Sequence, residues 1–592
     1  MHLTKILLIL LFFILPLVHG NLLPTLGIPF SLSVSGNFEF TKVMFFNILS
    51  GLIFLSFFFA TSYPWKGKEF KLEFLSWTEL KIWLSLLLIL FLSTIFSTSP
   101  FISLIGDTEK WHTAIMYLNL LGLFFILKKL DKTFLQKLIV TSLFAGVWIC
   151  IIALKEYFFQ TFEYGDLSNR ALGSFWHPNY LAWYLLLLLP FIYIPFIFSR
   201  KKIYERGVSS AIWIIFLFTL FLTKSIVALF LVIGYIIYTL QIGLSPRRGK
   251  FNRGVWLIGI LWFFCLLLSI IFFVQYFPEK LHSFLSRFYL WETTLKIIFS
   301  DIKIFFFGAG AETLPYFFDS YKVPEVYIYE NFWYTADRAH NFFLDIFFQF
   351  GIFWVLFFSY SVFIFFKDYK KIPSLAKISL FLFLLFGIFH YFSIASYVLV
   401  VLILSLSWSR TSTVVSFPLY EMKGARYGIY LFFSIVSLSW TYFSLQLYRA
   451  ELTFASWNTQ KAQEIFIHPK YLIELGKYMD AEKREWLLSQ NNLKEQIITK
   501  TERQKNCDTL TWFFPSAENL FYCGDIFWNL GKEDMAKNYY RQGLAKLPDL
   551  WYEDSLYWKH YFIKQSITWN RFFSEKFSNI NIILTRLDIK RK

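Results

Sequence analysis

The stretch Asp337-Arg338-Ala339-His340-Asn341-Phe342-Phe343-Leu344 joins two kinds of sequence that rarely meet in a soluble protein. On its left ends a polar segment, with a histidine among two charges and an amide. On its right begins the apolar run Phe342 to Phe366. At about 1.5 Å per helical residue, that run is long enough to cross a bilayer.

The pattern recurs along the whole chain. Its 592 residues are 56% hydrophobic and 22% aromatic, with a mean hydropathy of +0.50. A soluble chain cannot hide so much Phe, Leu and Ile, so the expected fold is all-α, a polytopic integral membrane protein. Apolar runs predict spans near 3–20, 43–60, 80–97, 113–127, 138–154, 179–198, 209–223, 225–243, 255–276, 342–366, 375–390, 392–408 and 428–447. This is a total of about 12–13.

Charge orients them. With a cytoplasmic N-terminus, the inside loops carry Lys66/Lys68/Lys71, Lys128/Lys129/Lys132/Lys137, Arg200/Lys201/Lys202/Arg206, Arg247/Arg248/Lys250/Arg253, Lys367/Lys370/Lys371 and Arg410/Lys423/Arg426. The short outside loops carry only Lys42, Lys110, Lys155, Arg170 and Lys224. Such alternation is the positive-inside pattern, and it assigns the +17 charge to membrane topology rather than to nucleic acid. Membrane lipids are the expected partner of those loops.

Four regions follow: N-terminal spans over 1–276, a large extracytoplasmic loop over 277–341, further spans over 342–448 and an outside helical tail over 449–592. The pairing of 375–390 with 392–408 is the step that sets the side of the tail, because Gly387, His390 and Tyr391 leave little room for a turn. Were those two runs one broken helix, the tail would face the cytoplasm. Met1 to Gly20 reads as an uncleaved first helix, since Leu17-Val18-His19-Gly20 is a poor small-residue cleavage site.

Cysteine usage argues against a zinc site: there is no Cys-x-x-Cys and no His/Cys ligand spacing. Cys150 and Cys265 sit in apolar runs as small hydrophobes, whereas Cys507 and Cys523 lie in the polar tail, where an oxidising compartment would allow a disulfide. In that tail Leu530-Gly531, Ala536, Tyr539-Tyr540, Leu544 and Pro548 match the later part of a tetratricopeptide repeat, and Ala462 to Pro469 reads as an eroded copy. An irregular helical cap fits the same residues.

The polar groups that could carry chemistry fall on the outside. Arg287 lies in an amphipathic stretch, Leu285-Ser286-Arg287-Phe288-Tyr289-Leu290-Trp291-Glu292. Gly308-Ala309-Gly310 is either a mere turn or a place where backbone N–H groups face a phosphate. His340 can act as a general base near neutral pH, or serve as a hydrogen-bonded structural residue. Arg287 and Arg338 can clamp a pyrophosphate through planar donors, or snorkel towards headgroups.

A second cluster, Asn169-Arg170-Ala171-Leu172-Gly173-Ser174-Phe175-Trp176-His177-Pro178-Asn179, sets a cation, an imidazole and an amide at a helix start. That suits an anion, and equally a capped helix with Pro178 in its first turn. Lys224, between two spans with a very short connection, is costly so near the hydrocarbon without a partner.

Taken in order, these blocks resemble the O-antigen ligase and O-antigen polymerase superfamily of bacterial membrane glycosyltransferases. The resemblance rests on Arg170-Ala171-Leu172-Gly173-Ser174-Phe175 with Pro178-Asn179, on Arg287-Phe288-Tyr289-Leu290-Trp291 with Gly308-Ala309-Gly310, and on His340-Asn341-Phe342-Phe343-Leu344 with Phe350-Gly351, over roughly residues 165–365. It implies a GT-C-like enzyme of the cytoplasmic membrane, using neither metal nor cofactor, with its site on the periplasmic side. A glycan would pass from a polyprenyl diphosphate donor to an acceptor hydroxyl on a glycan, lipid or protein.

In that reading His340 is the base and Arg287 the catalytic cation. Arg170, Asn179, Lys224, Gly308, Gly310, Arg338 and Asn341 bind substrate, with Asn341 also orienting the following helix. One departure stands out: the family has an arginine in a Ser-Arg-Gly-like context where this chain has Thr223-Lys224-Ser225, losing the bidentate fork. A polymerase or a protein O-oligosaccharyltransferase shares these features. A lipid-linked glycan transporter would place ionisable residues at mid-membrane between repeated halves, which this sequence lacks. The tail offers a surface for a glycan, an acceptor or a protein partner.

Overall fold

The computed structural model describes residues 1–18, 38–62, 73–74, 77–106, 112–159, 170–175, 177–193, 202–244, 278–323, 326, 336–367, 374–407, 415–416, 423–455, 507 and 517–544. The expected span over 255–276 and the segment Ala462 to Pro469 lie outside them. The described chain is helical apart from one short antiparallel pairing, Glu73–Phe74 with Val415–Ser416.

The helices are α1 (His2–Ile14), α2 (Phe38–Ser62), α3 (Trp77–Ile95), α4 (Pro100–Ile105), α5 (Ala114–Lys128), α6 (Lys132–Phe159) and α7 (Pro178–Leu188), which runs on as a 3-10 turn through Tyr193. They continue as α8 (Lys202–Leu222), α9 (Ile226–Leu244), α10 (Pro278–Ser300), α11 (Ile302–Phe307), α12 (Leu314–Tyr321), α13 (Phe342–Lys367), α14 (Ser374–Gly387), α15 (Ile394–Ser407) and α16 (Lys423–Ala455). In the tail, α17 (Ala517–Asn529) and α18 (Glu533–Leu544) follow.

Among the described residues three segments are long and apolar enough to cross a membrane, Glu39–Ala60, Lys132–Phe159 and Phe342–Ser361, and shorter apolar helices accompany them. Large apolar side chains stay exposed in helical stripes, as with Phe144, Trp148 and Ile151 on α6 and Ile214, Phe218 and Phe221 on α8. Exposed apolar stripes of this kind suit a hydrocarbon environment. The inward faces build one core around α7, whose residues from Pro178 to Leu188 are all buried.

Two sequence expectations change. Lys42, expected in a loop, is fully buried inside α2, where its ammonium donates to the carbonyls of Pro16 at 2.9 Å and Val18 at 2.5 Å and lies 4.9 Å from the Phe175 ring centre. The run Phe342 to Phe366 is not one straight helix, because Gly351 leaves the helical region with φ 73°.

The turn Gly308-Ala309-Gly310 packs into this break. A β-carbon on Gly351 would collide with the Phe306 carbonyl, and one on Gly308 with the Gln349 carbonyl; both residues have positive φ, so only glycine fits. Ser93 on α3 closes the junction, donating to the Gln349 carbonyl at 2.6 Å.

The helices α14 and α15 are separate and packed together, joined by the non-helical link 388–393. The helix α16 extends to Ala455, past the expected boundary at 449. In the tail α17 and α18 form a hairpin in which Gly524 admits the Tyr540 ring, Ala536 and Tyr540 are buried, and Tyr540 donates to Asp525 at 2.7 Å. A disulfide joins Cys507 to Cys523, with Cα atoms 5.5 Å apart.

Candidate functional site

The site gathers residues from four separate stretches. Arg170 precedes α7 and is half-buried. Its Nε donates to the Thr223 carbonyl at 2.7 Å and its Nη2 to Asn179 Oδ1 at 3.3 Å. The neighbouring Ala171 N–H donates to the Leu222 carbonyl at 3.0 Å, so the segment is sewn to the α8–α9 turn. Lys224 sits in that turn with φ 50°, exposed and next to the carbonyl that holds Arg170.

His177 caps α7, its Nδ1 accepting from the Asn179 N–H at 3.1 Å. Asn179, buried, then reaches His390 Nδ1 through its amide nitrogen at 3.4 Å. Because Asn179 Oδ1 is taken by Arg170, its NH2 is the donor and His390 Nδ1 the acceptor, which puts the imidazole proton on Nε2.

The second and third stretches bring Arg287 from α10 and the loop before α13. Burial, reinforced by the Arg287 charge, lowers the Arg170 guanidinium to about 10. Burial also pushes His390 well below the usual histidine range, helped by Arg287, His177, His340 and Arg170 in that order. Arg170, His177, Arg287, His340 and His390, five side chains, therefore share one electropositive neighbourhood.

Three neighbouring carboxylates, Glu39, Glu312 and Asp345, are bonded to other groups. Glu39 accepts from the Ile394 N–H at 2.5 Å and lies 3.3 Å from His112 Nε2. Glu312 holds Arg338 and accepts from the His112 N–H at 3.0 Å, and Asp345 accepts from the Ala339 N–H at 2.6 Å.

His340 is half-buried, in the left-handed region at φ 54°. Asp345 braces the loop from Ala339, and Asn341 Oδ1 caps α13 by accepting from the N–H groups of Phe343 at 3.0 Å and Leu344 at 3.2 Å. Tyr391, beside His390 in the 388–393 link, places its ring 5.3 Å from that of His340 and 5.3 Å from that of Tyr180.

Three expected substrate contacts find other work. Arg338 is buried and paired with Glu312. Burial opposes its charge, but Glu312 and then Asp345 outweigh burial and hold the guanidinium above its ordinary range. It is a structural cation here, not a diphosphate clamp. Gly308 and Gly310 offer no N–H to a phosphate, since Gly308 donates to Ile304, Ala309 to Phe348 and Gly310 to Gln349, at 2.8, 2.8 and 3.1 Å.

His390, Tyr391, Tyr180 and the Glu39–His112 pair were missed by the sequence reading. The only signal for the first two was a polar interruption, Gly387 to Tyr391, between apolar runs. No cluster of three or more His, Cys, Asp or Glu residues suited to a metal occurs among the described residues. No family model, no curated protein and no solved structure matches the chain.

Proposed function

We propose that the chain is a metal-independent glycosyltransferase of the O-antigen ligase type, moving a glycan from a polyprenyl diphosphate to an acceptor hydroxyl. The observation that carries this reading is the convergence of Arg170, Arg287 and His340, far apart in sequence, on one neighbourhood, with Glu39, Glu312 and Asp345 bonded to other groups. Two arginines that repel one another are most stable with an anion between them, and a diphosphate is the anion that a lipid-linked glycan presents.

In this reading the acceptor oxygen attacks the anomeric carbon while the bond from that carbon to the diphosphate oxygen breaks. The acceptor proton passes to the His340 imidazole, and the electron pair leaves with the lipid diphosphate. Arg287 and Arg170 stabilise the charge developing there, the kind of electrostatic contribution that lowers barriers by several kcal/mol. Lys224 adds a point charge at the rim.

The chain is then polytopic in a cytoplasmic membrane, with the site and tail on the outer side. Support comes from the positive-inside count, from the exposed apolar stripes and from the Cys507–Cys523 disulfide, a bond of oxidising compartments.

The test is the glycan left on carrier lipid when the gene is deleted. Accumulated polymer supports a ligase, single repeat units a polymerase, and unchanged carrier lipid would sink both. Restoration by wild type but not by His340→Ala or Arg287→Ala, at equal membrane levels, ties the activity to this site.

A further inference from the structure

His390 belongs to neither of the polar blocks that suggested the site, yet it touches both. Its main-chain carbonyl accepts from the Phe342 N–H at 3.2 Å, just after His340, and its ring stacks on Phe386 with centres 4.7 Å apart. Its Nδ1 faces the Asn179 amide.

That amide has two nearly isosteric orientations, with oxygen and nitrogen exchanged. In the observed one the oxygen meets the Arg170 guanidinium. In the other, an NH2 would meet a guanidinium, donor against donor, and Arg170 would lose a partner. The donor-only guanidinium draws the oxygen end, and His390, with its proton on Nε2, holds the amide there by accepting from the other end at Nδ1.

We propose that His390 is a positioning residue: by accepting from Asn179 it fixes which end of that amide faces Arg170, and so holds the guanidinium where the diphosphate binds. What Arg170 binds rests on the glycosyl-transfer reading; the Arg170–Asn179–His390 relay itself does not. Burial first, and then the neighbouring Arg287, His177, His340 and Arg170, favour the neutral imidazole, which in its Nε2–H tautomer has a free lone pair on Nδ1.

The experiment is binding of radiolabelled farnesyl diphosphate to the purified full chain in detergent micelles. His390→Phe keeps the stacking on Phe386 and removes the acceptor. His390→Gln keeps polarity but carries its amide beyond the Nδ1 position, and His390→Asn puts a carbonyl oxygen where Nδ1 was. The expected result is weakening by about tenfold for His390→Phe and His390→Gln and within about twofold for His390→Asn, at unchanged thermal midpoints.

Should His390→Phe not fold, the ratio of the Gln to the Asn variant decides. Wild-type affinity in the Phe or Gln variant, or an Asn variant as weak as the Gln one, overturns the inference and leaves the diphosphate reading standing. A wild-type chain that binds no probe overturns that reading, and the inference with it.

Discussion

Arg338 and Glu312 form a buried ion pair across 26 positions of sequence, with the guanidinium donating to a carboxylate that also accepts from the His112 backbone. The pair ties the loop that presents His340 to the turn that follows Gly310. Breaking such a pair leaves one charge buried alone. Arg338→Ala is therefore expected to destabilise the protein by about 3–5 kcal/mol. The thermal midpoint in detergent checks this; an unshifted midpoint would refute the pair's structural role.

The glycine junction predicts a contrast. Gly308→Ala and Gly351→Ala each combine positive φ with a backbone collision, which costs at least about 1–2 kcal/mol from conformation alone and more from the collision. Gly207, in α8 with open space around it, should tolerate alanine and gain roughly 0.5–1 kcal/mol. Yields of monodisperse protein from the three variants, compared by size-exclusion chromatography, test this ordering.

Arg170 donates in two directions, to the Thr223 carbonyl and to Asn179, which an ammonium cannot reproduce. Arg170→Lys is expected to lose about 2 kcal/mol of transition-state stabilisation, roughly thirtyfold in kcat/KM for the lipid-linked donor. Arg287→Ala is expected to lose on the order of 10²-fold or more in turnover. Equal transfer rates in all three proteins would remove both arginines from the mechanism.

A pH dependence follows from His390. Its folded value lies below the ordinary 6.5, so below that pH the unfolded chain binds the proton that the folded chain refuses. Stability then rises with pH through this window and falls on acidification from about 6.5 downward. Burial of the ring is the main cause, and Arg287, His177, His340 and Arg170 act in the same direction. His390→Phe should flatten the acid limb of thermal midpoint against pH, and an unchanged limb would assign that sensitivity to another group.

Much of the architecture was legible because it depends on local composition. The runs at 43–60, 113–127, 225–243 and 392–408 correspond to α2, α5, α9 and α15 within a few residues, since long apolar stretches have few alternatives to helix. Lys42 was misplaced because a charge ordinarily marks a loop. Here the carbonyls after α1, contributed from elsewhere in the chain, solvate it. Gly351 was read inside a continuous span because hydropathy does not register φ.

The candidate site divides the same way. Asn341 as a cap and Pro178 in the first turn of α7 follow from near-neighbour geometry, which a sequence carries. That Arg338 is occupied by Glu312, that the N–H groups of Ala309 and Gly310 point into α13, and that His390 stands behind Asn179 do not follow, because each partner is distant in the chain.

Hydropathy and charge alone were thus enough for an all-helical chain with segments fit for a membrane, because burial of apolar surface and helical hydrogen bonding are decided residue by residue. Which polar groups meet was settled by packing. Contacts such as Arg170 with Thr223 and Asn179 with His390 depend on three stretches being brought together by the core around α7, and no local property of any one stretch encodes the others.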